Sequence, residues 1–290
     1  MNHKEKSHRV KLVLVSILSL QLAAAWAMPQ LQAAPSGHDD DHAPVQVGYV
    51  VVTPTAETQN IMVFETFGRH HGGETLQAGV LPAAMTTHAV LFVNTSGRLS
   101  RNVGVAIANP GSAPAEIGMK LYDDQGKLLA DYESSNDPLV VEPGEQIAKY
   151  VTELFASRPE VPKGLTGTLD LVSDQPVAVI GIRSRGENFS TLPAASLSAP
   201  ADVPEISEGV GGAGAIILPH FAVGGGWATE IVIANAGNSE VTVRVDLFKQ
   251  DGTPLEVTLD DETGSSFTRT ISPHGVVTLA PRNETGDSDF

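Results

Sequence analysis

Gly224-Gly-Gly-Trp227 sets an aromatic ring behind three glycines. A flat ring with little backbone bulk beside it is the kind of surface that stacks on a sugar or an apolar ligand. Trp227, with Gly225 and Gly226 allowing close approach, is therefore the leading ligand-contact candidate. The plainer reading, which we favour, is a core tryptophan at a strand start with a glycine bulge. Other groups carry the letters of metal sites: His38-Asp-Asp-Asp-His42, His70-His71 with Glu74, Asp260-Asp261-Glu262, and the Asp287–Asp289 tail. Metal ligands must be held in fixed geometry, which a solvated run does not provide. None of these runs has the spaced Asp pattern with Gly and a distal Glu of a helix–loop–helix calcium loop. We read them as solvated acidic loops and assign no metal. Gly209-Val-Gly-Gly-Ala-Gly214 matches G-x-G-x-x-G, but dinucleotide binding needs a strand before it and a helix after it. Here Ala215-Ile-Ile-Leu-Pro219 follows and reads as strand, so a flexible joint is expected and no cofactor is implied. No G-x-S-x-G, S-x-x-K or H-E-x-x-H occurs, and His88, His220 and His274 stand apart near strand ends. No catalytic residue is assigned, and the expectation is that the protein is not an enzyme.

Composition narrows the setting. The chain has 290 residues, 41% of them hydrophobic, which suits one or two domains with proper cores. Eighteen basic residues face 34 acidic ones, a net charge of −16. Such a chain repels nucleic-acid phosphates and anionic headgroups, so neither is an expected partner. With no cysteine there is no disulfide, no thiol nucleophile and no Cys-ligated metal.

The amino terminus reads as an address. Lys4, Lys6, Arg9 and Lys11 precede the apolar run Leu12–Leu20, which continues to the small-x-small site Ala25-Trp26-Ala27. That is the layout of a secretory signal peptide over 1–27, with a second cut site after Ala33. The run is short of the ~20 residues that span a bilayer, so no membrane span is expected after cleavage. The protein is expected to be secreted, periplasmic or at the cell surface.

The elements that must position Trp227 emerge from an internal repeat. Val105–Gly126 aligns without a gap on Ile231–Gly252, each pair 126 positions apart, matching Asn109 to Asn235, Gly111 to Gly237 and Leu121 to Leu247. Glu142-Pro143 matches Ser272-Pro273 once four residues are inserted in the second copy. Within each copy, apolar residues alternate with the period of a half-buried strand. Asn109-Pro-Gly111, Gln125-Gly126 and Asp251-Gly252 read as turns. Further strands are expected at Pro138–Val141, Thr166–Val172 and Pro176–Arg183. Ile147, Tyr150, Val151, Leu154 and Phe155 recur at helical spacing and predict about two helical turns. The fold class is all-β: two antiparallel immunoglobulin-like β-sandwich domains with one short helix in the first. The second copy stops at Pro281-Arg282 without equivalents of the last strands. Gly48–Thr53 resembles Gly167–Val172, and Met62–Gly68 resembles Val177–Arg183, so the N-terminal strands are expected to complete the second sandwich. An independent hairpin and donation to another molecule are the alternatives. Asn94, Asn188 and Asn283 begin formal glycosylation sequons.

The expected organisation is a signal peptide (1–27), a disordered acidic leader (28–45), N-terminal strands (46–79), a first sandwich (80–195), a linker (196–214), a second sandwich (215–282) and an acidic tail (283–290). The runs A-N-P-G, L-Y-D-x-x-G, V-T-E-L-F and S-D-x-P-V-A-V, with L-P-x-F-A-x-G-G-G-W at Leu218–Trp227, resemble an uncharacterised tandem repeat of secreted bacterial proteins. That resemblance implies extracellular immunoglobulin-like modules and supplies no site. The expected function is an exported, non-catalytic structural or adhesive module, and the alternative is a carbohydrate- or ligand-binding module using the Trp227 region. The expected partner is a protein or glycan at the cell surface, with strand exchange between copies as a further option.

Overall fold

Ala115, Ile117, Met119 and Leu121 are buried, while Glu116 and Lys120 between them are exposed, the two-residue period of a strand with one face on a core. The same rule builds the rest. The computed structural model describes residues 12–15, 48–53, 62–71, 74–132, 138–197, 216–224 and 227–282. Its strands are β1 (Leu12–Val15), β2 (Tyr49–Val52), β3 (Glu65–His71), β4 (Glu74–Val80), β5 (Met85–Thr95), β6 (Arg101–Ala108), β7 (Ala115–Asp123), β8 (Leu128–Tyr132), β9 (Leu139–Val141) and β10 (Gln146–Tyr150). They continue, after the helix α1 (Val151–Leu154), as β11 (Leu165–Arg185), β12 (Asn188–Pro193), β13 (Ala195–Ser196), β14 (Ile231–Ala234), β15 (Val241–Asp246), β16 (Val257–Leu259), β17 (Glu262–Gly264), β18 (Ser266–Ile271) and β19 (Val276–Leu279). The chain is all-β and its sheets are antiparallel. No helix of the described residues is long and apolar enough to cross a membrane. The acidic leader with His38–His42, the joint Gly209–Gly214, Gly225, Gly226 and the tail 283–290 lie outside the described residues.

Two compact units divide the chain. Met1–Lys120, Ala130–Leu165 and Asp170–Ala199 make the first; Leu121–Leu129, Thr166–Leu169 and Pro200–Phe290 make the second. In the first, a sheet runs β10-β6-β11-β5-β13, with β12 on β11 and β7 linking β8, β9 and β11. Its 21-residue β11 replaces the two shorter strands expected from sequence. One face buries Val80, Ala106, Ala108, Ala178, Ile180 and Ile182 as a cluster. Each large aliphatic side chain so buried stabilises the fold by about 1.5–3 kcal/mol. In the second, β14 pairs β19, β15 pairs β18 and β16 pairs β17 around Phe267, Leu259 and Leu279.

The aligned segments share strand register. Ile107 faces Ile147 in the first, and Ile233 faces Val277 in the second. Ala115 faces Val141, and Val241 faces Ile271. Both hairpin glycines take the expected left-handed conformation, Gly126 at φ 78° and Gly252 at φ 82°.

One expectation is corrected. The helical stretch 147–155 is a strand up to Tyr150, then one helical turn at Val151–Leu154, started by the Tyr150 N–H donating to Glu153 Oε2 at 2.8 Å. Ladder bonds from β10 to β6 outweigh the local helical period. Of the N-terminal strands, β2 lies along β1, and β3 along β4, with Thr66 opposite Gly79. A hairpin between sequence neighbours costs little loop-closure entropy. Phe67 and Tyr49 then pack on the first unit's apolar cluster, and Phe67 stacks on Phe189 at 5.1 Å. Asn94 is buried and accepts a hydrogen bond from Arg101 Nη1 at 3.0 Å, so its sequon is not presented to solvent.

Candidate functional site

Trp227 stands in the second unit on a narrow turn. The Gly224 N–H donates to the Trp227 carbonyl at 2.9 Å, and the Trp227 N–H donates back to the Gly224 carbonyl at 3.0 Å. Gly224 sits at φ 87°, a conformation a side chain would strain. The base of this turn is tied by Thr229, whose hydroxyl accepts the Ala222 N–H at 3.0 Å and donates to the Ala222 carbonyl at 2.8 Å. Phe221 packs on the second unit's core, so the chain leading into the turn is anchored. Trp227 is 72% exposed, which corrects the favoured reading of a core residue. Ile216, Ile217 and Leu218 of the same unit are exposed too. Five apolar side chains within twelve residues, counting Val223, leave water in contact with surface that a core would have taken.

The sequence did not reveal a second grouping, in the first unit. His88 on β5 places Nε2 2.8 Å from Asp170 Oδ1 on β11. Beside them is a slot of about 190 Å³, including solvent at its mouth, lined by Thr86, Thr87, Ser173 and aliphatic residues such as Ile107 and Val179. Once that solvent is set aside, the slot has no room even for a water molecule, far short of the roughly 300–1,000 Å³ of a ligand pocket. The hydroxyls near it bind backbone: Thr86 Oγ1 donates to the His88 carbonyl at 2.6 Å, and Ser173 Oγ accepts the Gln175 N–H at 3.3 Å. The arrangement ties adjacent strands together rather than presenting a nucleophile to His88.

The other candidates resolve into structure. Asp260 and Asp261, at φ 48° and 65°, form the turn between β16 and β17. Asp260 accepts from Arg282 Nε, and Glu262 pairs with Arg269 at 3.0 Å, so arginines already take these carboxylates. The Ser266 hydroxyl, and beyond it Arg244, hold the Asp246 carboxyl below its usual range; Thr253 does the same for Asp251. His71 and Glu74 are backbone partners at the end of the β3–β4 ladder. His274 stacks on Tyr122 at 4.6 Å and bonds Asn238 Oδ1 through Nε2 at 3.0 Å. Among the described residues, no three His, Asp or Glu side chains gather as a metal site.

No family model and no curated protein sequence matches the chain. Two solved structures are weakly similar. The Anabaena sensory rhodopsin transducer is 17% identical over 34% of this chain and 89% of its own, with a TM-score of 0.27. Thermotoga maritima 1070 is 13% identical over 40% of this chain and 98% of its own, with a TM-score of 0.30. Likeness this slight carries no argument about activity.

Proposed function

We propose that the protein is an exported, non-catalytic structural or adhesive module built from immunoglobulin-like sandwiches of a duplicated unit, meeting a protein or glycan at the cell surface. The observation that carries this reading is the exposed apolar stretch of the second unit, with Ile216 and Trp227 both more than 70% exposed. Large exposed apolar surface rimmed by polar residues marks contact sites. The first test is the amino terminus of the protein recovered outside the cytoplasm: it begins at Met28, or at Ala34 if the second site is cut. Recovery of an uncut chain in the cytoplasm overturns the export.

A second reading, carbohydrate binding, is favoured by the exposure of Trp227 itself. Indole faces that lie open to water are what sugars stack on. On a glycan array, binding that Trp227→Ala reduces tenfold or more supports this reading. Binding to envelope protein without any glycan signal supports the first. Because the ring is exposed, Trp227→Ala should shift unfolding stability by no more than about 0.5 kcal/mol, so any lost binding reports contact rather than misfolding.

A further inference from the structure

Two sheet edges lie without a ladder among the described residues, and they match each other. β6 has β10 on one side and β11 on the other, with Ala178 facing Ala108 and Val179 facing Ile107. Its counterpart β14 has β19 on one side and no strand where β11 would be. Burial records the difference. Ala108 is fully buried, whereas Ala234 at the aligned position is exposed. Ala115 on β7 is 0% exposed, while Val241 on β15 is 38% exposed. In the first unit β11 is the ladder partner of both β6 and β7, and its 178–185 stretch is the part that covers β6, so a missing strand of that kind accounts for the open side of β14.

The chain contains a segment of that kind. Met62–Gly68 resembles Val177–Arg183, which sets Val63 at the place of Ala178 and Phe64 at that of Val179. β3 gives one edge to β4 and has no ladder on the other among the described residues. Just before it, Met62 and Phe64 are 83% and 64% exposed. An open strand edge flanked by apolar side chains is a ready template for another chain.

We propose that residues 62–68 of one copy add to β14 of a second copy, antiparallel, with Val63 opposite Ala234 and Phe64 opposite Ile233. The occupant is a second copy because both edges are open among the described residues, while β3 is held within its own unit by β4 and by the Phe67–Phe189 stack. Backbone ladder bonds supply the affinity of such an addition, and alternate side chains supply its register. Reciprocal pairing closes a two-fold dimer, and one-way pairing makes an open chain. The proposal deepens the adhesive reading and rests on it, since it names the protein itself as the first partner.

The chain has no cysteine, so engineered thiols report without background. Directly opposed strand residues have Cα atoms roughly 4.5–5.5 Å apart, within disulfide reach. Chains carrying Val63→Cys and chains carrying Ala234→Cys, mixed and oxidised, are expected to give a heterodimer cross-linked between 63 and 234. The unsubstituted protein is expected to sediment as a dimer or larger. Phe64→Asp should weaken that association at least about tenfold, because its carboxylate would be buried in an apolar strand. Phe64 is exposed in the single chain, so the variant should keep a folded circular-dichroism spectrum and melt as the unsubstituted protein does when diluted to monomer. A monomer at every concentration, with no cross-link, overturns the proposal. So does a concentration-independent cross-link within one doubly substituted chain, which would make the occupant the chain's own segment. A monomer that still binds a surface through Trp227 overturns this proposal and leaves the adhesive reading intact. Self-association without any surface binding does the reverse.

Discussion

Asn109 is fully buried and spends its whole side chain on backbone: Nδ2 donates to the Ala113 carbonyl at 2.8 Å and the Val141 carbonyl at 2.9 Å, and Oδ1 accepts the Gly111 N–H at 3.0 Å. Asn235 repeats this, donating to Ser239 at 2.7 Å and Ile271 at 3.2 Å and accepting from Gly237 at 2.9 Å. Asn109→Ala would leave these groups unpaired away from water, and urea unfolding should register a loss of about 3 kcal/mol. From sequence, Asn109-Pro-Gly111 was readable as a turn because its partners Gly111 and Ala113 are local. The bond to Val141 was not, since the acceptor is 32 residues away. The same distance problem hid His88 and Asp170, which are 82 residues apart. Acid titration reports a further residue. The Asp246 carboxyl is held low by Ser266 and then Arg244, so its contribution is present above the ordinary carboxylate range and is lost as pH falls through its depressed value. Ser266→Ala should raise that titration point toward the ordinary range, as carbonyl NMR shifts would show.

Among the elements, two hairpin turns make a controlled comparison. Gly126 and Gly252 share a left-handed backbone, but a Cβ at Gly126 would run into the Pro273 carbonyl, whereas one at Gly252 meets nothing within 4 Å. Gly252→Ala should therefore cost about 1 kcal/mol from backbone strain alone. Gly126→Ala should cost about 3 kcal/mol, because the clash adds to the strain. Thermal melts of the two variants check the difference, and equal losses would contradict it. The turns themselves were legible, because glycine after Gln or Asp marks a tight hairpin. The 147–155 segment was not, because Ile147, Val151 and Phe155 satisfy a helical period while Ile147 also faces Ile107 across a ladder. Local spacing cannot say which neighbour arrives. The left-handed position Gly144 in one turn, at φ 76°, is occupied by His274 at φ 60° in the aligned turn. That histidine is kept there by its stack on Tyr122 and by Thr168, whose hydroxyl donates to its carbonyl at 3.0 Å.

For the whole molecule, a charge of −16 acts against any self-association. Copies that repel one another at low ionic strength approach more readily once salt shortens the screening length to roughly 8–10 Å. Sedimentation equilibrium should show the dimer tightening between about 10 and 150 mM salt, the scale over which that length falls from roughly 30 Å. Weakening with salt would mean that ion pairs, not strand edges, hold the copies together. All-β character was legible throughout, from the alternation in Ile117, Met119 and Leu121. The β3–β4 ladder was not, because Met62–Gly68 resembles β11 in letters and nothing in that likeness points to Glu74–Val80 as a partner. β11 also has a mechanical consequence. Its 21 residues are laddered to β5, β6, β7 and β12, so a pull along its length must shear several rows of bonds together instead of unzipping them singly. Pulled along that strand, the first unit should yield late and at high force, which single-molecule pulling would read directly.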